Sequence, residues 1–322
     1  MKIDKLNLPD SAIEFLKSQG FEKLYPPQVD SVKSGLLDGK SILVSAPTAS
    51  GKTLIAMLAM FSFLSKNNGK VVYLSPLRAL AAEKFTEFKK LEKIALGKKI
   101  KVGISTGDFD GIEKNLEKSD ILILTNEKMD SVIRHGVEWI DEIGLVISDE
   151  VHLIGDENRG PTLEMILTQL KLLDSKPQIV GLSATITNSD EIATWLDCKL
   201  VKNDWRPVPL SEGVCDGGEV TMNDGNTFEV ERSLRGTPID LGVQSVKQGG
   251  QSLVFAETRT RSKSLATKAA DVIFQMLKKN ELKELEKTSK KILSQNENTE
   301  IVKTLAILVK KGVAFHHAGL NQ

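Results

Sequence analysis

Cysteine is scarce in this sequence: Cys198 and Cys215 stand in no CxxC pair and have no histidine at ligand spacing. That scarcity argues against a disulfide framework and a structural zinc site, and leaves both as structural thiols. Long apolar runs are missing too. The longest, Leu54 to Leu64, is too short to cross a bilayer, and the N-terminal MKIDKLNLPD lacks the apolar core of a signal peptide. The expectation is a soluble, cytoplasmic protein with no membrane partner. Nor does either charge dominate, since Lys plus Arg (43) balance Asp plus Glu (43) over 322 residues. Without a global positive field, any nucleic-acid binding has to come from a local groove.

What is present is ordinary globular composition, 40% hydrophobic, at a length that suits about two domains. DSAIEFLKSQG has apolar positions at helical spacing and a closing glycine, and a second helix is expected after Pro27. Beyond it, the short apolar runs SILVSA, KVVYLSP, KVGIST, DILILT, GLVISDE and QIVGLSA alternate with longer amphipathic segments. That alternation predicts an α/β fold, a parallel sheet covered by helices on both faces. The text changes at NDWRPVP, which places a domain boundary near Trp205 and divides the chain into 1–205 and 206–322. A polar stretch after it predicts a β-hairpin turning at Asn223 to Gly225. QSLVFAE and VAFHHAGL then read as two further strands, separated by a solvated charged segment from Glu281.

The strongest local signal is Ala46-Pro47-Thr48-Ala49-Ser50-Gly51-Lys52-Thr53, between the strand SILVS and the helix TLIAMLAM. It is a phosphate loop in its required setting. Small residues let successive N–H groups turn toward phosphate oxygens, and the following helix N-terminus adds a favourable dipole. ATP and Mg²⁺ are the expected ligands, with Lys52 reaching the β- and γ-phosphates and the Thr53 hydroxyl coordinating the metal. Asp149 and Glu150, emerging after the strand Gly144 to Ile147, supply a second metal ligand and a candidate general base. Alone, a DE pair could equally cap a helix, and Ser183-Ala184-Thr185 after QIVGL could be a turn.

APTASGKT, DEVH and SAT, in that order, resemble the DExH helicases of superfamily 2. SPLRALAAEK, STGDFD, TNEKMDSVIR, LYPPQ, VFAETRTRS and AFHHAGL extend the likeness over almost the whole chain. The wording ISDEVHLIGDENRGPTLE, DWRPVPL and FHHAGL is similar to the superkiller-like group, and within it to the archaeal DNA repair helicases. The resemblance implies a RecA-like ATP-binding domain over 1–205 and the start of a second RecA-like domain over 206–322. It also implies ATP hydrolysis coupled to 3′-to-5′ movement and duplex unwinding, on single-stranded or forked DNA, in the full-length protein. An RNA helicase of the same group is the alternative. A nucleotide-dependent binding switch that never hydrolyses ATP is a second, against which Glu150 argues, because a binding module needs no positioned base.

Carried over residue by residue, Gln28 would recognise the adenine edge, and His152, Ser183 and Thr185 would couple ATP state to movement. Arg78, Thr125, Thr258 and Arg259 would touch the nucleic-acid backbone. Each has a plainer alternative: Gln28 as a helix cap, Arg78 as a partner of Glu83. His316 and His317 are neighbours on an expected strand, so they would face opposite sides and make poor metal partners. The resemblance further implies an arginine-rich catalytic motif after AFHHAGL, and no GRxGR-like run stands in these 322 residues. The expectation is therefore an N-terminal fragment that binds ATP and turns it over slowly at best. Its nucleic-acid binding should be weak, sequence-tolerant and steeply salt-dependent, since neutral overall charge leaves only a groove of phosphate contacts. Titration of single strands of differing sequence at several salt concentrations checks this, and a marked sequence preference at fixed salt would contradict it.

Overall fold

A computed structural model describes residues 1–96, 98–107, 114–232, 236–295, 299–317 and 320. The chain divides into two compact units, Met1–Pro209 and Leu210–Gln322. Trp205 falls within the first unit, where its ring lies against Tyr25 with centroids 4.5 Å apart.

The first unit is built on seven strands: β1 (Ile42–Ser45), β2 (Lys70–Ser75), β3 (Val102–Ser105), β4 (Ile121–Thr125), β5 (Ile143–Ser148), β6 (Gln178–Ser183) and β7 (Lys199–Lys202). They pair in the order β3-β4-β2-β5-β6-β1-β7, and every pairing is parallel. Two helices, α1 (Asp10–Ser18) and α2 (Pro26–Lys33), precede the first strand, and α3 (Lys52–Lys66), α4 (Arg78–Phe88), α5 (Lys114–Glu117), α6 (Asn126–His135), α7 (Gly160–Lys171) and α8 (Ser189–Leu196) run between the strands.

A strand buried on both faces alternates its side chains between two cores, and the apolar runs do so here. Ile42, Val44, Val71, Tyr73, Leu145 and Ile147 join α1, α3 and α4 on one face. Leu43, Val72, Leu74, Val146 and Ile179 join α6, α7 and α8 on the other. Helix α3 is apolar nearly all round, with Leu54 through Phe61 buried without a break, so it is a core helix and not a surface one.

Register then fixes the working edge. Ser45 lies opposite Ser183, Ser148 opposite Gly181 and Leu74, and Ser75 opposite Thr125. The carboxyl ends of five neighbouring strands thus finish in nearly one row, and the loops that leave that row carry the expected chemistry.

The second unit departs from expectation. Its sheet is a small antiparallel one, β8 (Gly213–Asp216), β9 (Glu219–Met222) and β10 (Thr227–Glu229), in the order β10-β9-β8. The expected hairpin is there, with Gly225 at φ +84° and the Met222 amide donating to the Asn226 carbonyl. Among the described residues the helices α9 (Thr237–Lys247), α10 (Arg259–Ile273), α11 (Lys279–Gln295) and α12 (Glu300–Lys310) follow. The parallel sheet expected to resume in 206–322 is not formed among the described residues. The segments at 251–255 and 313–317 take no strand partner there. A strand exists through ladder bonds to a neighbour; lacking one, the run at 251–255 leaves Leu253 81% and Phe255 89% exposed.

Both cysteines are free thiols. Burial pushes the Cys198 thiol up to about 12, helped by the charge of Asp197 and opposed by Lys171. Because the thiolate is the nucleophile, Cys198 should resist iodoacetamide at about pH 8 in the folded chain and react once denatured. Peptide mass mapping reads this out, and rapid native labelling at Cys198 would contradict the burial.

Candidate active site

The phosphate loop is anchored at its start by the Ala46 amide, which donates to the Ser183 carbonyl at 3.1 Å. It then passes through two left-handed residues, Ala49 at φ +65° and Gly51 at φ +86°. An L-residue resists that conformation, and the strain at Ala49 persists because the loop must turn its amides to one side. At Gly51 both the left-handed backbone and the crowding favour glycine, since an added Cβ would stand 2.2 Å from the Gln28 Nε2 atom and displace it. Gln28 is 1% exposed, and both ends of its amide are engaged. Its Oε1 accepts from the Tyr25 amide at 2.7 Å, and its Nε2 donates to the Gly51 carbonyl at 3.3 Å. It caps α2 and braces the phosphate loop together.

Helix α3 opens at Lys52, whose Nζ donates to the carbonyls of Ala46 and Pro47 at 2.9 and 3.2 Å. Burial lowers the Lys52 pKa, the carboxylates of Glu150 and Asp149 oppose that shift, and Arg206 adds to it. The loop lysine, the acid pair and Arg206 therefore share one electrostatic neighbourhood. Ser50 and Ser148 each bury a hydroxyl that has no hydrogen-bond partner among the described residues.

The acid pair continues β5. The Asp149 amide donates to the Leu74 carbonyl at 3.0 Å, so the strand ladder runs straight into it. Its carboxylate is held at both oxygens: Oδ2 accepts from the Tyr73 hydroxyl at 2.6 Å and Oδ1 from the Glu150 amide at 3.0 Å. Glu150 is left-handed at φ +54°, a second strained non-glycine residue beside the loop. Its carboxylate lies 3.3 Å from His152 Nδ1, and the same nitrogen accepts from the Ala184 amide at 3.4 Å. The Ala184 carbonyl in turn accepts from the hydroxyls of Ser183 and Ser45 at 2.9 and 3.3 Å. DEVH, SAT and the start of the phosphate loop are thus bonded to one another. Thr185 is exposed beyond them.

For a divalent cation the candidate donors are the Thr53 hydroxyl and the Asp149 carboxylate. Hard oxygens, few in number, suit Mg²⁺, which keeps most of its water when it binds a nucleotide. Among the described residues there is no cluster of three or more His, Cys, Asp or Glu that would serve a different metal.

The expected backbone contacts differ in what the fold gives them. Arg78 is exposed and opens α4. Thr125 is only 2% exposed, and its hydroxyl accepts from the Lys128 amide, so its side chain caps α6. Thr258 likewise caps α10 through the Arg261 amide at 3.1 Å, with Arg259 exposed next to it. His316 is exposed while His317 lies over Phe315, as adjacent positions of an extended segment should. The GDFD portion of STGDFD extends outside the described residues.

Two residues of the site escaped the sequence reading. Tyr73 sits in an apolar run with nothing to mark its hydroxyl as a carboxylate partner. Lys84 lies in an amphipathic segment where only Arg78 was given a role, yet its Nζ donates to the Thr53 hydroxyl at 2.9 Å.

The DEAD/DEAH box helicase family model matches residues 25–192, from the Tyr25 cap into the first half of α8. The chain belongs to the DEAD/DEAH box helicases. Members of that family use ATP, which agrees with the phosphate loop and acid pair described above. Over its whole length the chain is 44% identical to an ATP-dependent DNA helicase Hel308 from Pyrococcus horikoshii, covering 43% of that protein. It is 42% identical to proteins of the same name from Methanocella arvoryzae and Thermococcus kodakarensis, covering 43% and 27% of them. The chain thus spans less than half the length of these helicases.

Gly51→Ala should weaken nucleotide binding by about five- to a hundredfold, because strain of about 1–3 kcal/mol falls on the loop itself. Gly20→Ala is the control. It has similar left-handed backbone at φ +84°, and an added Cβ would meet nothing within 4 Å. It should lower stability and leave nucleotide affinity alone. Fluorescent-nucleotide titration with thermal unfolding separates the two, and equal affinities would remove the special role of Gly51.

Proposed function

We propose that this chain is the ATP-binding and front motor part of an ATP-dependent DNA helicase, whose longer form moves 3′ to 5′ and unwinds duplexes. The observation that carries the reading is the bonded set at the sheet edge: Ala46 to Ser183, His152 to Ala184, and Glu150 beside His152. A site that only held nucleotide would not need a histidine placed between its acidic residue and a third strand end.

In this reading the amides from Ala46 to Thr53 cradle the phosphates, and Lys52 leaves its two carbonyl partners for the β- and γ-oxygens. Mg²⁺, held by Thr53 and Asp149, would offset phosphate charge. Tyr73 fixes the rotation of the Asp149 carboxylate. Glu150 accepts the proton of the attacking water, with His152 holding its carboxylate. Gln28, already bonded to Gly51, carries the presence of the adenine to the loop. His152, Ser183 and Thr185 carry the state of the phosphates toward β6. Arg78 in the first unit and Arg259 in the second would each contact nucleic-acid backbone with the side chain, and Thr125 and Thr258 would serve indirectly, by fixing helix N-termini whose amides suit phosphate.

DNA is favoured over RNA as the strand, because the relatives above are named DNA helicases and the likeness runs the length of this chain. Single-stranded or forked DNA and a cytoplasmic site of action belong to the same proposal. No helix among the described residues is long and apolar enough to cross a membrane.

Two variants test the roles. Lys52→Ala should weaken ATP binding by about ten- to a hundredfold, the value of a lost charge-assisted contact. Glu150→Gln should bind ATP almost normally and lose about 10²–10⁴ in turnover in a chain extended to the length of the relatives. Calorimetry and phosphate release, with DNA and RNA as activators, supply both readouts. Equal loss of binding in the two variants would reject the assignments, and stronger stimulation by RNA would reject DNA.

A further inference from the structure

Lys84 closes the segment SPLRALAAEK, in which only Arg78 was given a role, and its place is unusual for a helix-surface lysine. Its side chain is 12% exposed. The ammonium donates to the Thr53 hydroxyl at 2.9 Å and to Glu87 Oε2 at 3.0 Å, with Glu83 Oε1 at 4.0 Å. Glu87 also acts electrostatically on Tyr73, the residue that holds Asp149. Lys84, Thr53, Glu87, Tyr73 and Asp149 therefore form one connected group around the two candidate metal donors.

A cation bound directly to the Thr53 oxygen would sit about 2.0–2.1 Å from it. With the ammonium 2.9 Å from the same oxygen, the two positive centres would be within about 5 Å of each other even on opposite sides of it, close enough for strong repulsion in a partly buried site. A threonine oxygen has two acceptor positions, but it cannot serve a lysine and a divalent cation at that range without cost.

We propose that Lys84 is a positioning residue that competes with Mg²⁺ for the Thr53 hydroxyl, so that metal entry displaces the lysine toward Glu87. Lys84 lies six residues after Arg78 on the same helix, about 9 Å along its axis. Displacing the lysine thus loads or unloads the helix that carries the candidate strand-contacting arginine at its N-terminal end. A signal between the metal site and α4 needs no intermediate element. The inference rests on Thr53 being a metal donor of the phosphate site.

The test follows a fluorescent ADP analogue, mant-ADP, first in EDTA and then through a MgCl₂ titration. Lys84→Met and Lys84→Gln should each lower the magnesium concentration for half-saturation by about three- to tenfold. Affinity for mant-ADP in EDTA should stay the same, which a misfolded variant would not manage. Lys84→Arg, which keeps the charge, should stay near the original value. The effect of Lys84→Met should shrink when it is introduced together with Thr53→Ala, because competition for an oxygen requires the oxygen. An unchanged magnesium midpoint in Lys84→Met, or an effect that survives undiminished alongside Thr53→Ala, overturns the competition while leaving the phosphate site intact. If the unaltered chain binds mant-ADP with no magnesium dependence, the metal-site reading itself falls, and the inference with it.

Discussion

Parallel register is the constraint on which the site depends. Each strand of the first unit is bonded so that Ser45 lies against Ser183 and Ser148 against Gly181, and the loops can leave only from there. The bond from the Ala46 amide to the Ser183 carbonyl is the last rung of that ladder and the first contact of the phosphate loop. The Asp149 amide makes the equivalent rung to Leu74. Because these rungs continue a seven-stranded sheet with a core on each face, the reacting groups inherit its rigidity. Positioning is most of what phosphoryl transfer asks of a protein.

Much of this was legible in the sequence because the physics is local. A four- to six-residue apolar run between amphipathic segments has few other fates, and all six runs first picked out became strands of the sheet. The phosphate loop and acid pair could be read because residue type and spacing follow from the ligand. What could not be read depends on distant partners. Gln28 reads as a helix cap, and it is one, but its bond to Gly51 spans 23 residues of chain. Tyr73 finds Asp149 only because β2 and β5 are neighbours in the sheet. The runs at 251–255 and 313–317 show the opposite failure: strand propensity without a neighbouring strand leaves an extended segment, and nothing local reveals which neighbour is needed.

Strain is distributed with the same selectivity. Of the four described non-glycine residues with positive φ, two, Ala49 and Glu150, lie in the phosphate loop and the acid pair. A left-handed alanine in solution would relax. Here it is held between the buried Ala46 and Ser50 and the start of a helix that is packed on nearly every side. The buried α3 cannot shift without disturbing the core around Phe61 and Leu58.

His152 gives the segment after β6 an unusual kind of link. Its Nδ1 atom lies within reach of a carboxylate, which accepts, and of an amide, which donates. A ring nitrogen holds either a lone pair or a hydrogen, never both. With the lone pair it takes the Ala184 amide and leaves Glu150 unheld; with the hydrogen it holds Glu150 and turns Ala184 away. Through Nδ1 the imidazole therefore holds one neighbour at a time, the Glu150 carboxylate or the Ala184 amide, and the two contacts exclude each other.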